Sequence, residues 1–264
     1  MYTEARKKVR GVFFDLYGTL LILGNMKQAW TDWMEVLYAA LCPVGSSLSK
    51  SAFDDCCHQF FGKDEPEPAD DGLTVFERRI RRLANSLELA MEAAELKAVA
   101  TRATNAWQAH VMLDPAALEV LTVLRQSKTL ALISNFDQPT HVYRVLREAG
   151  LDGFFERIVV SGEVGMKKPD PGIFRIALGA TCLSAEEVVY VGDTQEDVKG
   201  ATAAGIRPIL LVRPEDPSQP RILDYTRREE QVADRGLISG SQSVMTIGSL
   251  REIFAIVESL CLAG

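Results

Sequence analysis

Asp15 closes the apolar run Val12-Phe13-Phe14, and Gly18-Thr19 follows within four residues. An acid after three such residues is the pattern of a buried strand that delivers a carboxylate to its own end. Two further apolar runs end in polar pairs: Leu130–Ile133 at Ser134-Asn135, and Val188–Val191 at Gly192-Asp193. A third, Ile158–Val160, leads to Lys167-Lys168-Pro169-Asp170-Pro171, which can project a cation toward the same rim. The set offers two carboxylates, a hydroxyl near backbone N–H groups and an ammonium. Two carboxylates brought together repel unless a cation lies between them. Mg²⁺ accepts one or two carboxylates plus phosphate oxygens and water. The chemistry that fits is attack on phosphorus by Asp15, with Ser134 and Lys168 on the other phosphoryl oxygens. Positioning and charge neutralisation do most of the work in such a transfer.

The strands that must carry these groups are short, aliphatic and without period-two alternation: Val12–Phe14, Leu130–Ile133, Ile158–Val160, Val188–Val191 and Ile209–Val212. That is the habit of parallel strands covered on both faces. Helices alternate with them. One runs from Pro139 to Ala149 and ends at Gly150; another opens at Asp170-Pro171 as N-cap and first helical residue; a third covers Asp197 to Ala204 and ends at Gly205. Alternating strands and helices predict a doubly wound α/β sheet, whose ligands bind beyond the carboxyl ends of the strands. A last strand and helix are expected at Ser243–Ile247 and Leu250–Leu260, after a loop-rich stretch holding Pro214, Pro217 and Pro220.

Residues 24–110 break the alternation with helical stripes alone. Met26, Trp30, Trp33, Leu37 and Leu41 form the first, ended by Pro43 and Gly45. Phe53, Cys56, Cys57 and Phe60 form the second, ended by Gly62. The others are Phe76, Ile80, Leu83 and Leu87, then Leu96, Val99, Ala103 and Trp107. The expected division is a catalytic core of residues 1–23 and 111–264, with an all-helical cap inserted at 24–110. The acidic stretch Asp64–Asp71 reads as a solvated loop, and the tryptophans as cap core. Arg78, Arg79, Arg81 and Arg82 read as a solvated helix face, with an anionic substrate as the alternative.

The chain has 264 residues, 47% hydrophobic and 25% charged, as soluble globular proteins do. A net charge of −7 disfavours nucleic acid or an anionic membrane surface as partner, but not a small anion in a local positive pocket. No apolar run approaches a membrane span, and the basic Met1–Arg10 is followed by no signal-like segment. Five cysteines without metal-ligand spacing suit reduced thiols, so a cytoplasmic protein is expected. His58, His110 and His141 show no partner spacing.

The four motifs VFFDLYGTL, LALISN, GEVGMKKPDPGIF and VYVGDTQEDVKGATAAG, in that order, resemble the haloacid dehalogenase-like hydrolase superfamily. The resemblance covers nearly the whole chain. It implies a Rossmann-like core of strand order 5-4-1-2-3 with a helical cap after the first strand. It implies Asp15 as nucleophile, and Asp15, the backbone carbonyl of Tyr17, Asp193 and Asp197 around Mg²⁺. It also places Ser134 and Asn135 on the transferring group and Lys168, the lysine directly before proline, on the phosphoryl oxygens. Thr19 is a further substrate-side candidate or a brace of its turn. Asp197 supports the metal or the lysine, or only completes a capping box with Thr194. Ser134 has helix capping as its plainer alternative, and Lys168 an exposed loop.

Tyr17 departs from most phosphatases of the family, which carry a second aspartate there to protonate the leaving alcohol and activate water. Such assistance is typically worth about 10²–10⁴-fold, and a phenol of pKa about 10 replaces it poorly as a base. The family's 2-haloacid dehalogenases carry tyrosine there, since halide leaves without a proton. They typically lack the Gly-Asp acid that Gly192-Asp193 supplies, and they use an early cap arginine; this chain has no arginine from Gly11 to Glu77. The expectation is a Mg²⁺-dependent phosphatase for a small phosphate monoester. The alternatives are a 2-haloacid dehalogenase and a weakly catalytic phosphate-binding protein. A Schiff-base variant through Lys27 or Lys50 has no further support.

Overall fold

The computed structural model describes residues 8–42, 48–57, 60–61, 64–67, 71–214 and 244–262. Strand β1 (Gly11–Phe14) is buried along its whole length. It lies between β4 (Thr129–Ser134) and β6 (Val188–Gly192), parallel to both, with Phe14 opposite Leu132 and Val191. Outside them run β5 (Arg157–Val160) on one side, and β7 (Arg207–Leu211) and β8 (Met245–Ile247) on the other. The sheet is six-stranded and wholly parallel, in the order β5-β4-β1-β6-β7-β8. Leaving out the edge strand β8, this is the order that the motifs imply.

Both faces of this sheet are covered, which is why its strands read as unbroken apolar runs. On one face Phe13, Ala131, Ile133, Val159 and Tyr190 pack with Ile173, Phe174 and Ala177 of α8 (Pro171–Thr181) and Ala201 of α9 (Gln195–Ala203). The alternate residues Val12, Phe14, Leu130, Leu132, Val189 and Val191 are equally buried. Helix starts follow their sequence signals. Asp170 accepts from the Gly172 N–H, with Pro171 opening α8. Pro139 opens α6 (Pro139–Glu148), and Gly150 and Gly205 follow α6 and α9 at positive φ. The one strand that ends early is β7: it stops at Leu211, and Val212 is 53% exposed.

Among the described residues the chain forms two compact units. One holds the residues before Leu23 and after Met112, and the other is Leu23–Met112. Chain passes between them through β2 (Leu21–Leu23) and β3 (Val111–Leu113), which pair in a two-stranded ribbon. The second unit holds α1 (Met26–Leu41), α2 (Lys50–Cys57), α3 (Val75–Ser86) and α4 (Ala93–Gln108). Its core gathers Trp33 and Leu37, Phe53 and Cys57, Phe76 and Ile80, and Leu96 and Val99, from the four helices in turn. Trp30 is half-buried and stacks on Trp33 at 4.7 Å. A reciprocal capping box of Thr74 and Glu77 starts α3.

The arginines of α3 correct their reading as a solvated face. Arg78 and Arg79 are buried, donating to the carbonyls of Leu73 and Phe60 at 2.6 and 3.2 Å. Arg81 pairs with Asp71, and Arg82 donates to the Asp64 carbonyl. They tie loop backbone to the helix, so Asp71 is a structural partner rather than a merely solvated charge. Among the described residues, Cys42, Cys56, Cys57 and Cys182 form no disulfide. No helix among the described residues is long and apolar enough to cross a membrane. Expected features at Pro43, Gly45, His58, Gly62, residues 215–242 and Ser243 lie outside the described residues.

Candidate active site

The sheet register brings the candidate groups to one edge. Asp15 continues β1 by one residue, its N–H donating to the Val191 carbonyl at 2.9 Å. Ser134 ends β4 and is buried; Asp193 directly follows β6. Carboxylate oxygens of Asp15, Asp193 and Asp197 all lie within 4.8 Å of one another.

Lys168 is buried and central, which excludes its reading as an exposed loop residue. Its Nζ lies 2.5 Å from Asp15 Oδ1 and 2.7 Å from Asp197 Oδ1. Its third N–H is shared between the Tyr190 hydroxyl at 3.1 Å and the Ile133 carbonyl at 3.3 Å. Burial opposes its charge, but the two carboxylates outweigh that and hold the ammonium above the ordinary lysine range. The Asn135 carboxamide fixes the lysine's backbone, accepting from its N–H at 2.8 Å and donating to its carbonyl at 3.0 Å. The Asn135 side chain thus holds the lysine loop.

The three carboxylates have different surroundings. Asp197 accepts four hydrogen bonds: Lys168 and the Tyr190 hydroxyl on Oδ1, the Thr194 N–H and hydroxyl on Oδ2. That fills the four lone-pair directions of a carboxylate. Burial works against its ionisation, yet Lys168 and Thr194 hold its pKa below the ordinary range. The capping box with Thr194 is present, but Asp197 also anchors the lysine. It also belongs, with Asp15 and Asp193, to the acidic triad expected around the metal. Asp193 is the opposite case. Among the described residues its carboxylate accepts one hydrogen bond, from Thr19 Oγ1 at 3.3 Å. Burial, with Asp15 and then Asp197 nearby, pushes its pKa up to about 8. Asp15 is raised to about 6 by burial, against the pull of Lys168.

An all-oxygen set in which Asp15 is buried and Asp193, half-buried, is short of a counter-charge fits a hard divalent cation. The backbone is shaped to admit this pairing. Gly18 has φ +88°, and a Cβ there would stand 2.3 Å from Asp193 Oδ2. A Cβ on Gly192 would likewise fall 2.4 Å from Asp197 Cγ. Ser134 caps no helix: the residue at the start of α6 is Gln138.

Tyr17 is stacked on Phe136 at 4.9 Å, and Phe136 on His141 at 5.4 Å. Burial raises the Tyr17 phenol far above its ordinary range. Burial and then Arg144, whose Nη2 lies 2.8 Å from Nδ1, lower the His141 imidazole to about 4. His110, by contrast, pairs with Asp32 at 2.7 Å in the helical unit.

Sequence reasoning missed Tyr190, counted as one more apolar strand residue, although its hydroxyl bridges Lys168 and Asp197. A phenol between two valines in the middle of a buried strand was the available signal. It also missed Arg213 and Asp114, which meet across 99 residues and carry no local pattern.

A family model described as haloacid dehalogenase-like hydrolase matches residues 9–205. Among curated relatives, a phosphoserine phosphatase of Thermus thermophilus is 44% identical over 97 residues, covering 35% of this chain and 39% of that protein. The chain spans less than half the length of the first curated relatives it matches. Of solved structures, a HAD phosphatase from Thermococcus onnurineus aligns with a TM-score of 0.62 at 19% identity, covering 94% of this chain and 98% of that one. A 2-haloacid dehalogenase from Pseudomonas syringae pv. Tomato aligns with 0.61 at 19% identity, covering 95% and 99%. At that identity the likeness is one of fold, and it favours neither chemistry. With 197 residues matched by the family model, the chain belongs to the haloacid dehalogenase-like hydrolases.

Proposed function

We propose that this hydrolase is a Mg²⁺-dependent phosphatase of small phosphate monoesters that works through an aspartyl-phosphate on Asp15. The observation that carries the reading is the contrast at the strand ends. Asp193 is a half-buried carboxylate with one hydroxyl partner among the described residues, while Lys168 is already neutralised by Asp15 and Asp197. A cation held by Asp15, Asp193 and the Tyr17 carbonyl would relieve Asp193 and neutralise charge on the phosphoryl oxygens. The names of the phosphatase relatives agree with this substrate class.

The chain's own residues then have distinct tasks. Asp15 attacks phosphorus from the end of β1. Lys168 screens the phosphoryl oxygens and keeps Asp15 oriented, and Ser134 donates to the same oxygens. Thr19 orients Asp193 through its hydroxyl. Asn135, Tyr190 and Asp197 position the lysine. Tyr17 remains a neutral ring in its stack and moves no proton, so the leaving alcohol is protonated from water and catalysis is slower than with an acid there.

That same ring favours a second reading, 2-haloacid dehalogenation, in which Asp15 attacks carbon and no acid is needed. A panel of phosphate esters and 2-haloacids, each with and without Mg²⁺, separates the two. Phosphate release that requires Mg²⁺ and vanishes in Asp15→Asn is expected. Metal-independent halide release with no ester turnover would replace the first reading by the second. Phosphate binding without turnover across the panel would leave a binding protein.

A further inference from the structure

Arg213, two residues beyond β7, holds the turn that follows Asp15. Its Nη1 donates to the Gly18 carbonyl, and its Nη2 to the Thr19 carbonyl at 2.6 Å. The same Nη2 pairs with Asp114 Oδ2 at 2.6 Å. Asp114 is itself buried and fixed, Oδ1 accepting the Ala116 N–H at 2.8 Å and its own N–H donating to the Leu20 carbonyl at 3.0 Å. A planar guanidinium on two successive carbonyls, with a seated counter-charge, fixes direction as well as distance.

The turn it grips meets Asp193 at two points. Thr19 Oγ1 donates to Asp193 Oδ1 at 3.3 Å, and Gly18 leaves no room for a Cβ beside that carboxylate. The turn that Arg213 grips therefore abuts the Asp193 carboxylate directly. A displacement of the turn by a fraction of an ångström would alter the spacing of the Asp15, Tyr17 and Asp193 oxygens. Mg²⁺ demands near-ideal octahedral geometry and tolerates such shifts poorly.

We propose that Arg213, seated on Asp114, is a positioning residue for the divalent-cation site, acting through the backbone of the Gly18-Thr19 turn. The proposal rests on the reading of Asp15 and Asp193 as cation ligands. It differs from a purely structural brace in what it predicts at temperatures where every variant is folded.

The test is a calorimetric Mg²⁺ titration of the wild type, Arg213→Ala, Arg213→Lys and Asp114→Asn. Hydrogen exchange of the Gly18 and Thr19 amides is followed in the metal-free proteins. Partners behind first ligands are typically worth about 10–100-fold in metal affinity. Arg213→Ala is expected to weaken Mg²⁺ by about that factor, to speed exchange in the turn, and to lower kcat with little change in KM for the ester. Arg213→Lys recovers part of the affinity, and Asp114→Asn loses less than Arg213→Ala. A folded Arg213→Ala with wild-type Mg²⁺ affinity and kcat overturns the proposal. Should Arg213→Ala fail to fold, unchanged affinity in both Arg213→Lys and Asp114→Asn overturns it equally. A wild type that binds no Mg²⁺ overturns the underlying reading and the clamp together; binding indifferent to the variants overturns the clamp alone.

Discussion

Asp193 and Asp197 lie four residues apart, and their surroundings divide two tasks between them. Asp197 has four donors and stays ionised, so it serves as a fixed counter-charge for Lys168. Asp193 has one, and its pKa near 8 marks a carboxylate short of positive charge. The sign of the stability effect follows. A carboxyl whose folded pKa lies above its unfolded value of about 4 costs stability when it ionises. That cost is absent below the unfolded value and grows until pH passes the folded one, about 6 for Asp15 and about 8 for Asp193. Above about pH 6.5, where the opposite contribution of the buried His141 is complete, metal-free protein should therefore lose stability toward mildly alkaline pH. Saturating Mg²⁺ should raise Tm more at the alkaline end of that window. Thermal melts across it, with Mg²⁺ and with a chelator, check this; an equal Mg²⁺ gain at both ends would count against a cation at Asp193.

At the scale of elements, the turn after β1 and the start of α9 do the positioning. Both depend on glycine for space rather than only for flexibility, since Gly18 and Gly192 each abut a carboxylate. Gly18→Ala adds left-handed backbone strain of about 1–2 kcal/mol and pushes a methyl into Asp193. Reduced stability with loss of Mg²⁺ binding is expected, read by a melt and a titration; a variant that keeps wild-type Mg²⁺ affinity would show that the turn can yield. Asp15, Ser134 and Asp193 were legible in the chain because each stands where an apolar run stops, and Lys168 because it directly precedes Pro169 at the entrance to α8. The rest depended on contacts distant in sequence. Tyr190 looked apolar because its ring is, and only the fold shows its hydroxyl reaching Lys168. Arg213 and Asp114 meet through tertiary structure alone. Asn135 was expected at the right edge, and its amide holds the lysine backbone. Arg78 and Arg79 looked solvated because charge usually is, yet each donates to a loop carbonyl inside the helical unit.

Among the described residues, hydrophobic cores gather around the parallel sheet and among α1 to α4. The candidate site is built from the sheet unit alone. Mg²⁺ should therefore stabilise one of two calorimetric transitions, and Trp33→Ala, at about 3–5 kcal/mol, should lower the other. A single transition that responds to both would show that the two units melt as one. The central claim is covalent: Asp15 accepts the phosphoryl group. Its most direct measurement is to quench the protein in acid during Mg²⁺-dependent turnover of an aryl phosphate, digest it and weigh the peptides. The account predicts a phosphoryl adduct on the peptide holding Asp15, absent without Mg²⁺ and absent in Asp15→Asn. Sustained turnover by Asp15→Asn, or an adduct on any other residue, would contradict it.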